Sequence, residues 1–138
     1  MAKPLSLSKF ERLKSKKDID TLFLHGKAFF VFPFKIMYQL VEPSSALYPI
    51  QLGVSVPKKI FKRAVDRNIM KRRMREIYRL NKIEINQFLI SQKTAIHVMI
   101  VYTNKTMMST SELTPHILDV LKKIEKRMID LTQAKYIK

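Results

Sequence analysis

Between Pro57 and Lys82 the chain reads PKKIFKRAVDRNIMKRRMREIYRLNK, eleven Lys and Arg against two acids, Asp66 and Glu76. A block of like charge ordinarily repels itself and stays solvated as a tail. Here apolar residues interrupt it at helical intervals. Advancing about 100° per residue from Val65 gathers Val65, Ile69, Met70, Met74, Ile77 and Leu80 on one half of a helical wheel. Arg67, Asn68, Lys71, Arg72, Arg75 and Arg79 take the opposite arc. Arg73 alone falls on the apolar half, its stem packing while its head group reaches for water. The segment is therefore predicted to fold as a helix with one buried face and one cationic face. Such a helix suits a phosphate backbone.

The block carries +9 of a net charge of +16, and a pI near 10.2 makes a polyanion the expected partner. A chain of 138 residues suits one domain with a single core, and 46% hydrophobic content argues against general disorder. No apolar run is long enough to suggest a spanning helix. The N-terminal MAKPLSLSKFERLKSKK has no signal-peptide core. The chain has no cysteine, which excludes disulfides and thiolate metal sites. A cytoplasmic location is expected.

Residues 1–14 read as a basic, partly ordered arm, and residues 15–138 as one domain. A short helix is expected from Lys16 to Leu24, stopped by Gly26. FFVFPFKIMYQLV (29–41) reads as one strand, with Phe30, Phe32, Phe34, Ile36 and Leu40 on an apolar face that makes the phenylalanines core residues. Pro33 then belongs at an edge, a bulge or the strand's start. Ile50–Val56 alternates, turning Gln51, Gly53 and Ser55 away from the core to leave a shallow groove. The basic helix follows over 63–82, with an extension towards Phe88. Ala95–Tyr102 is a further strand. A final helix begins at Thr114-Pro115, with Ile117, Leu121, Ile124, Met128 and Leu131 as its buried stripe. The fold class is α+β, a small mixed sheet packed by helices. The basic helix is the candidate crossover between two parallel strands.

No catalytic constellation stands out. His25, His97 and His116 are scattered, with no metal-ligand spacing; His97, inside an apolar strand, reads as structural. Asp18, Asp20, Glu112 and Asp119 read as helix charges. With two glycines in the chain there is no Gly-rich phosphate loop. No catalytic residue and no metal ligand is assigned, so any chemistry this chain takes part in is expected to be carried by a partner.

From Ala64 to Glu76 the sequence AVDRNIMKRRMRE resembles the signature of the bacterial ribonuclease P protein family, Ala-Val-x-Arg-Asn-Arg-Ile-Lys-Arg-x-x-Arg-Glu. Arg12-Leu13-Lys14, then Phe23 with Gly26-Lys27, then Leu52–Val56 with Lys58-Lys59 continue the likeness in order over residues 10–102. Three positions depart from it. Ile69 stands where the family has Arg, exchanging an RNA contact for apolar surface. Ile60–Arg63 lacks the glycine often found before Ala-Val, and Ile19 replaces a frequent aromatic.

The resemblance implies an α/β sandwich similar to the second domain of ribosomal protein S5, with a left-handed βαβ crossover, although such connections are generally right-handed. It implies a partner, the catalytic RNA subunit of ribonuclease P, and a substrate, precursor tRNA. The 5′ leader is removed by hydrolysis of one phosphodiester, at Mg²⁺ ions held mainly by the RNA. Arg67, Asn68, Lys71, Arg72 and Arg75 correspond to the face that docks on the catalytic RNA. Phe23, Met37, Ser55, Lys58 and Lys59, beside Ile19, correspond to a groove for the single-stranded leader. No membrane and no obligate protein partner are expected. A ribosomal RNA-binding protein would share the charge and fold. A basic membrane-surface protein is a third class, disfavoured because the helix's apolar face is needed by the core.

Overall fold

Three runs of strand-forming residues make one four-stranded sheet in the computed structural model, which describes residues 9–43 and 48–136. After a 3₁₀ turn at Lys9–Glu11 the elements are α1 (Lys16–His25), β1 (Lys27–Val31), β2 (Phe34–Val41), β3 (Ile50–Ser55), α2 (Ala64–Ser91), β4 (Ala95–Tyr102) and α3 (Thr110–Tyr136). The strand order is β1-β2-β4-β3. β2 runs antiparallel to β1 and β4, whereas β3 runs parallel to β4, with α2 as the crossover that the sequence spacing anticipates. Residues 1–8 of the expected arm lie outside the described residues. Its end lies on the sheet, where the Leu13 amide donates to the Leu52 carbonyl at 2.9 Å.

The single strand expected over 29–41 is instead a hairpin. Pro33 has no amide hydrogen to continue a ladder. The chain reverses at the cis Phe32–Pro33 bond, and the Pro33 carbonyl accepts from the Thr103 amide and hydroxyl at 2.9 and 2.8 Å. The reversal changes which side chains share a face. Phe34, Ile36 and Tyr38 are buried in the main core, but Phe30 and Phe32 are 56% and 54% exposed and Leu40 is also exposed. The expectation that Phe30 and Phe32 are core residues is corrected by this fold.

The main core lies between one face of the sheet and helices α2 and α3. On α2 the buried residues are Met70, Met74, Ile77, Tyr78, Lys82, Ile85 and Leu89. Their arc is turned by about 100° from the apolar half of the wheel drawn from the sequence. Val65 and Leu80 are exposed, and Ile69 is half-buried, packed in neither apolar cluster. Length explains part of the error. A helix running from Ala64 to Ser91 is longer than the strands beneath it can cover. The helix overhangs the sheet, and Val65 lies in its first turn.

α3 starts at Thr110, a turn earlier than expected, because Ser109 and Glu112 form a reciprocal cap. The Glu112 amide donates to the Ser109 hydroxyl at 3.2 Å, and the Ser109 amide donates to the Glu112 carboxylate at 3.0 Å. Pro115 lies inside the helix rather than at its first position. Ile117, Leu121, Ile124 and Met128 are buried, as their spacing predicts.

α1 packs on the other face of the sheet. Its Leu22 joins Leu13, Met37 and Met99 in a second buried cluster, with Ile19 and Val101 at the margin. The groove anticipated beside Gly53 is filled, since a Cβ there would stand 2.6 Å from the Met99 methyl. Gly53 serves packing, and the open part of this face lies towards Phe30 and Lys35, both exposed.

Candidate nucleic-acid interface

Two surfaces carry the cations. The first is on α2, where Arg12, Asn68, Lys71, Arg72, Arg75, Glu76 and Arg79 enclose a hollow of ≈ 440 Å³. The helical period sets Arg75, Asn68, Arg79 and Arg72 within an arc of about 60°, so they present one continuous face. Arg12 reaches this face from the N-terminal segment. That segment is held in place because Glu11, next to Arg12, forms a buried ion pair with Lys82. Sequence reasoning gave Arg12 no site role; the available signal was its place in Arg12-Leu13-Lys14, whose Leu13 is buried.

The electrostatics of this hollow are one-sided. Its acid, Glu76, is bound by the Arg79 guanidinium, whose hydrogen bond holds the Glu76 carboxyl below the usual carboxylate range. Burial, and then the charge of Arg12, lower the pKa of Arg75. A cation pressed against another cation and partly stripped of water gains more from an incoming phosphate than a fully hydrated one.

Besides Lys82 and Arg79, the block's Arg67 and Arg73 also bond within the protein. The Arg67 Nη1 donates to the carbonyls of Phe61 and Lys62, both at 2.8 Å, closing the turn before α2. Arg67 keeps other donors for a phosphate, but its position makes it structural as well. Arg73, expected to reach for water, donates to the Met108 carbonyl at 2.7 Å and ties α2 to the start of α3.

The second surface is a groove of ≈ 590 Å³ on the α1 side, lined by Phe23, Lys35, Met37, Pro57, Lys59, Ile60, Val101, Tyr102, Thr103 and Lys105. Phe23, Met37 and Lys59 of the anticipated groove therefore meet here, and Lys35 and Lys105 join them. Phe23 is 49% exposed, whereas Met37, at 7%, is floor. Ser55 is half-buried on the same sheet face, paired in register with Val101, but does not line the hollow. Lys58 is exposed and also outside it, and Ile19 packs at the edge of the second cluster. Lys35 was missed although strand alternation puts it on the same face as Met37, two residues on, which was assigned to the groove.

Among the described residues no three or more His, Cys, Asp and Glu stand together to hold a metal ion. No helix among the described residues is long and apolar enough to cross a membrane.

The fold and these two surfaces define a class: a small α+β protein with two surfaces lined by side-chain cations. Residues 7–125 match the ribonuclease P family. The chain is 40% identical over 123 residues to the ribonuclease P protein component of Porphyromonas gingivalis, covering 89% of this chain and 84% of that one. It is 38% identical over 94 residues to that of Syntrophus aciditrophicus, covering 68% and 72%. Among solved structures, the RNase P protein of Staphylococcus aureus superposes with a TM-score of 0.66 at 24% identity, over 83% of this chain and 94% of that one. The Thermotoga maritima protein superposes with 0.63 at 23%, over 82% and 96%. The chain belongs to the ribonuclease P protein family, whose members are the protein subunit of a tRNA-processing endoribonuclease.

Proposed function

We propose that the α2 face docks on the catalytic RNA of ribonuclease P while the α1-side groove holds the 5′ leader of a precursor tRNA. The observation that carries the reading is the one-signed hollow on α2, whose acid is already neutralised within the protein. Arg72 and Arg75, with Arg12, supply guanidinium forks for phosphate oxygens, Lys71 a point charge, and Asn68 an amide. Arg67 adds to this face from the turn it closes. In the groove, Lys35, Lys59 and Lys105 neutralise the leader's backbone and Phe23 offers a ring to a base, a sequence-tolerant way to hold a single strand. Lys58 and Ser55 flank the track, and Met37 is its floor.

On this reading the hydrolytic centre is in the RNA, which holds Mg²⁺, and the protein lowers the electrostatic cost of bringing two polyanions together. A cytoplasmic site of action, with the catalytic RNA and precursor tRNA as partners and no obligate protein partner, completes the proposal. The test is cleavage of a leader-bearing precursor tRNA by the cognate catalytic RNA at low Mg²⁺, with and without the protein. Acceleration that depends on both the protein and the leader supports it. Tight, salt-sensitive RNA binding without acceleration would assign the chain to another ribonucleoprotein.

A further inference from the structure

Phe30 is an aromatic side chain left on the surface by the hairpin, 56% exposed and engaged in no ring contact among the described residues. A lone exposed apolar residue is ordinary. Its register is what distinguishes it. Phe30 on β1 pairs directly with Lys35 on β2, Lys35 pairs with Val101 on β4, and Val101 pairs with Ser55 on β3. These four residues form one row across the sheet, on the face that α1 covers only in part. The row is about 14 Å long at the usual strand spacing. Lys35 and Val101 line the groove, so Phe30 stands immediately beyond its wall at the β1 edge. Phe32 differs: it packs edge-on against His116 of α3, with centroids 5.9 Å apart, and is thereby turned to the other side of the sheet.

We propose that Phe30 is a stacking platform for a base of the single-stranded leader as it leaves the groove, with Lys35 neutralising the adjoining phosphate. The track then crosses the sheet from Lys59 to the β1 edge, with exposed rings at both ends, Phe23 and Phe30. The inference rests on the leader-groove reading and extends it by the nucleotides beyond Lys35. Stacking requires a bare ring face, continuity with the strand's path and a nearby cation for the backbone, and Phe30 has all three.

The experiment uses the protein assembled with its cognate catalytic RNA and precursor tRNAs carrying either a very short or a long leader. Phe30→Ala is expected to weaken the long-leader complex about five- to a hundred-fold while leaving the short-leader complex unchanged. Phe30→Tyr is expected to retain affinity, and 2-aminopurine placed in the long leader should lose its protein-dependent quenching only in Phe30→Ala. Thermal midpoints of the variants are expected to match that of the parent, because the ring is not buried. Equal loss for both leaders, no loss for either, or the same loss from Phe32→Ala would overturn the proposal. Phe23→Ala with Lys59→Ala separates the two readings. If that variant loses leader affinity and Phe30→Ala does not, the extension fails and the groove stands; if neither loses it, both fail.

Discussion

The Lys82 Nζ lies 2.7 Å from both carboxylate oxygens of Glu11, far away in the sequence, and both side chains are almost fully buried. The pair joins the N-terminal segment to the middle of α2. The Tyr78 hydroxyl, buried nearby with no hydrogen-bond partner among the described residues, has its pKa pushed far up by burial and then by the Glu11 charge. Removing one member of such a pair leaves an uncompensated charge in the interior. Glu11→Gln or Lys82→Met alone is therefore expected to cost about 3–5 kcal/mol. The double replacement Glu11→Leu with Lys82→Met is expected to recover most of it. Denaturant midpoints of the three variants check this; equal loss in single and double variants would refute it. Since Arg12 adjoins Glu11, the single variants should also weaken RNA binding where they remain folded.

Arg67 and Arg75 are expected to behave differently, although the sequence puts both on one cationic face. Arg75→Ala and Arg72→Ala should weaken RNA binding and flatten the salt dependence, each by about one phosphate contact, with stability unchanged. Arg67→Ala should in addition lower stability by about 1–2 kcal/mol. The reason is that two carbonyls before α2 lose their donor. Paired salt titrations and thermal melts measure both quantities. An Arg67→Ala protein with an unaltered melt would show that these two hydrogen bonds do not hold the turn.

The end of α2 contains a correctable strain. The Thr94 amide donates to the Leu89 carbonyl at 3.0 Å and the Lys93 amide to that of Ile90 at 3.1 Å, closing the helix through Lys93 at φ 52. A side chain with a Cβ is strained in that left-handed conformation, and glycine is not. Lys93→Gly is expected to stabilise the protein by about 0.5–1 kcal/mol. At Gly26 the opposite holds, since a Cβ would stand 2.4 Å from the Leu22 carbonyl oxygen and 3.1 Å from that of Tyr38. Gly26→Ala should lower the melting temperature and Lys93→Gly should raise it.

His97 gives the fold an acid-side sensitivity. Its ring faces the α1 side of the sheet, between Gln39 and Gln51 in register, and burial lowers its pKa while Asp18 partly opposes the shift. A group whose pKa is lower folded than unfolded binds fewer protons in the folded state. Its contribution to stability is complete above the unfolded value, about 6.5, and is lost as pH falls through the lowered folded value. Stability measured from neutral pH into the mildly acidic range should decline, and His97→Gln should flatten that decline. An identical slope in the variant would refute the assignment.

The sequence was most legible where periodicity was long and uninterrupted. Ala95–Tyr102, the buried stripe of α3 and the parallel pairing across the α2 crossover all followed from spacing alone. Pro33 was the main obstacle, because a proline between two apolar runs signals an edge, a bulge or a reversal equally, and only pairing with β4 selects the reversal. The error assigned Phe30 and Phe32 to the core, whereas both lie on the surface. The rotation of α2 was misread for a related reason: Val65, Ile69 and Leu80 weighed on the wheel, whereas Tyr78, Ile85 and Leu89 decide which side meets the sheet. Glu11–Lys82 is a contact between distant segments with no local signal. The spacing Ser109-x-x-Glu112 carries the capping-box signature a turn ahead of Thr114-Pro115, the one start read from the sequence.

Ile69 is the remaining departure in the α2 motif, and its surroundings make it replaceable. It is half-buried, packed in neither apolar cluster, with Asp66 one turn before it and Arg72 and Arg73 one turn after. An arginine there would find a carboxylate at i−3, which offsets the added repulsion from Arg72 and Arg73. Little apolar burial would be lost, so Ile69→Arg is expected to leave stability within about 1 kcal/mol of the parent. The added cation would lie beside Arg72 at the rim of the RNA-docking face. Affinity for the catalytic RNA should rise, and the dependence of log K on log salt should steepen by about one phosphate contact. Unfolding of Ile69→Arg would show that the isoleucine holds the first turns of α2 in place; unchanged affinity with an intact fold would place position 69 outside the interface.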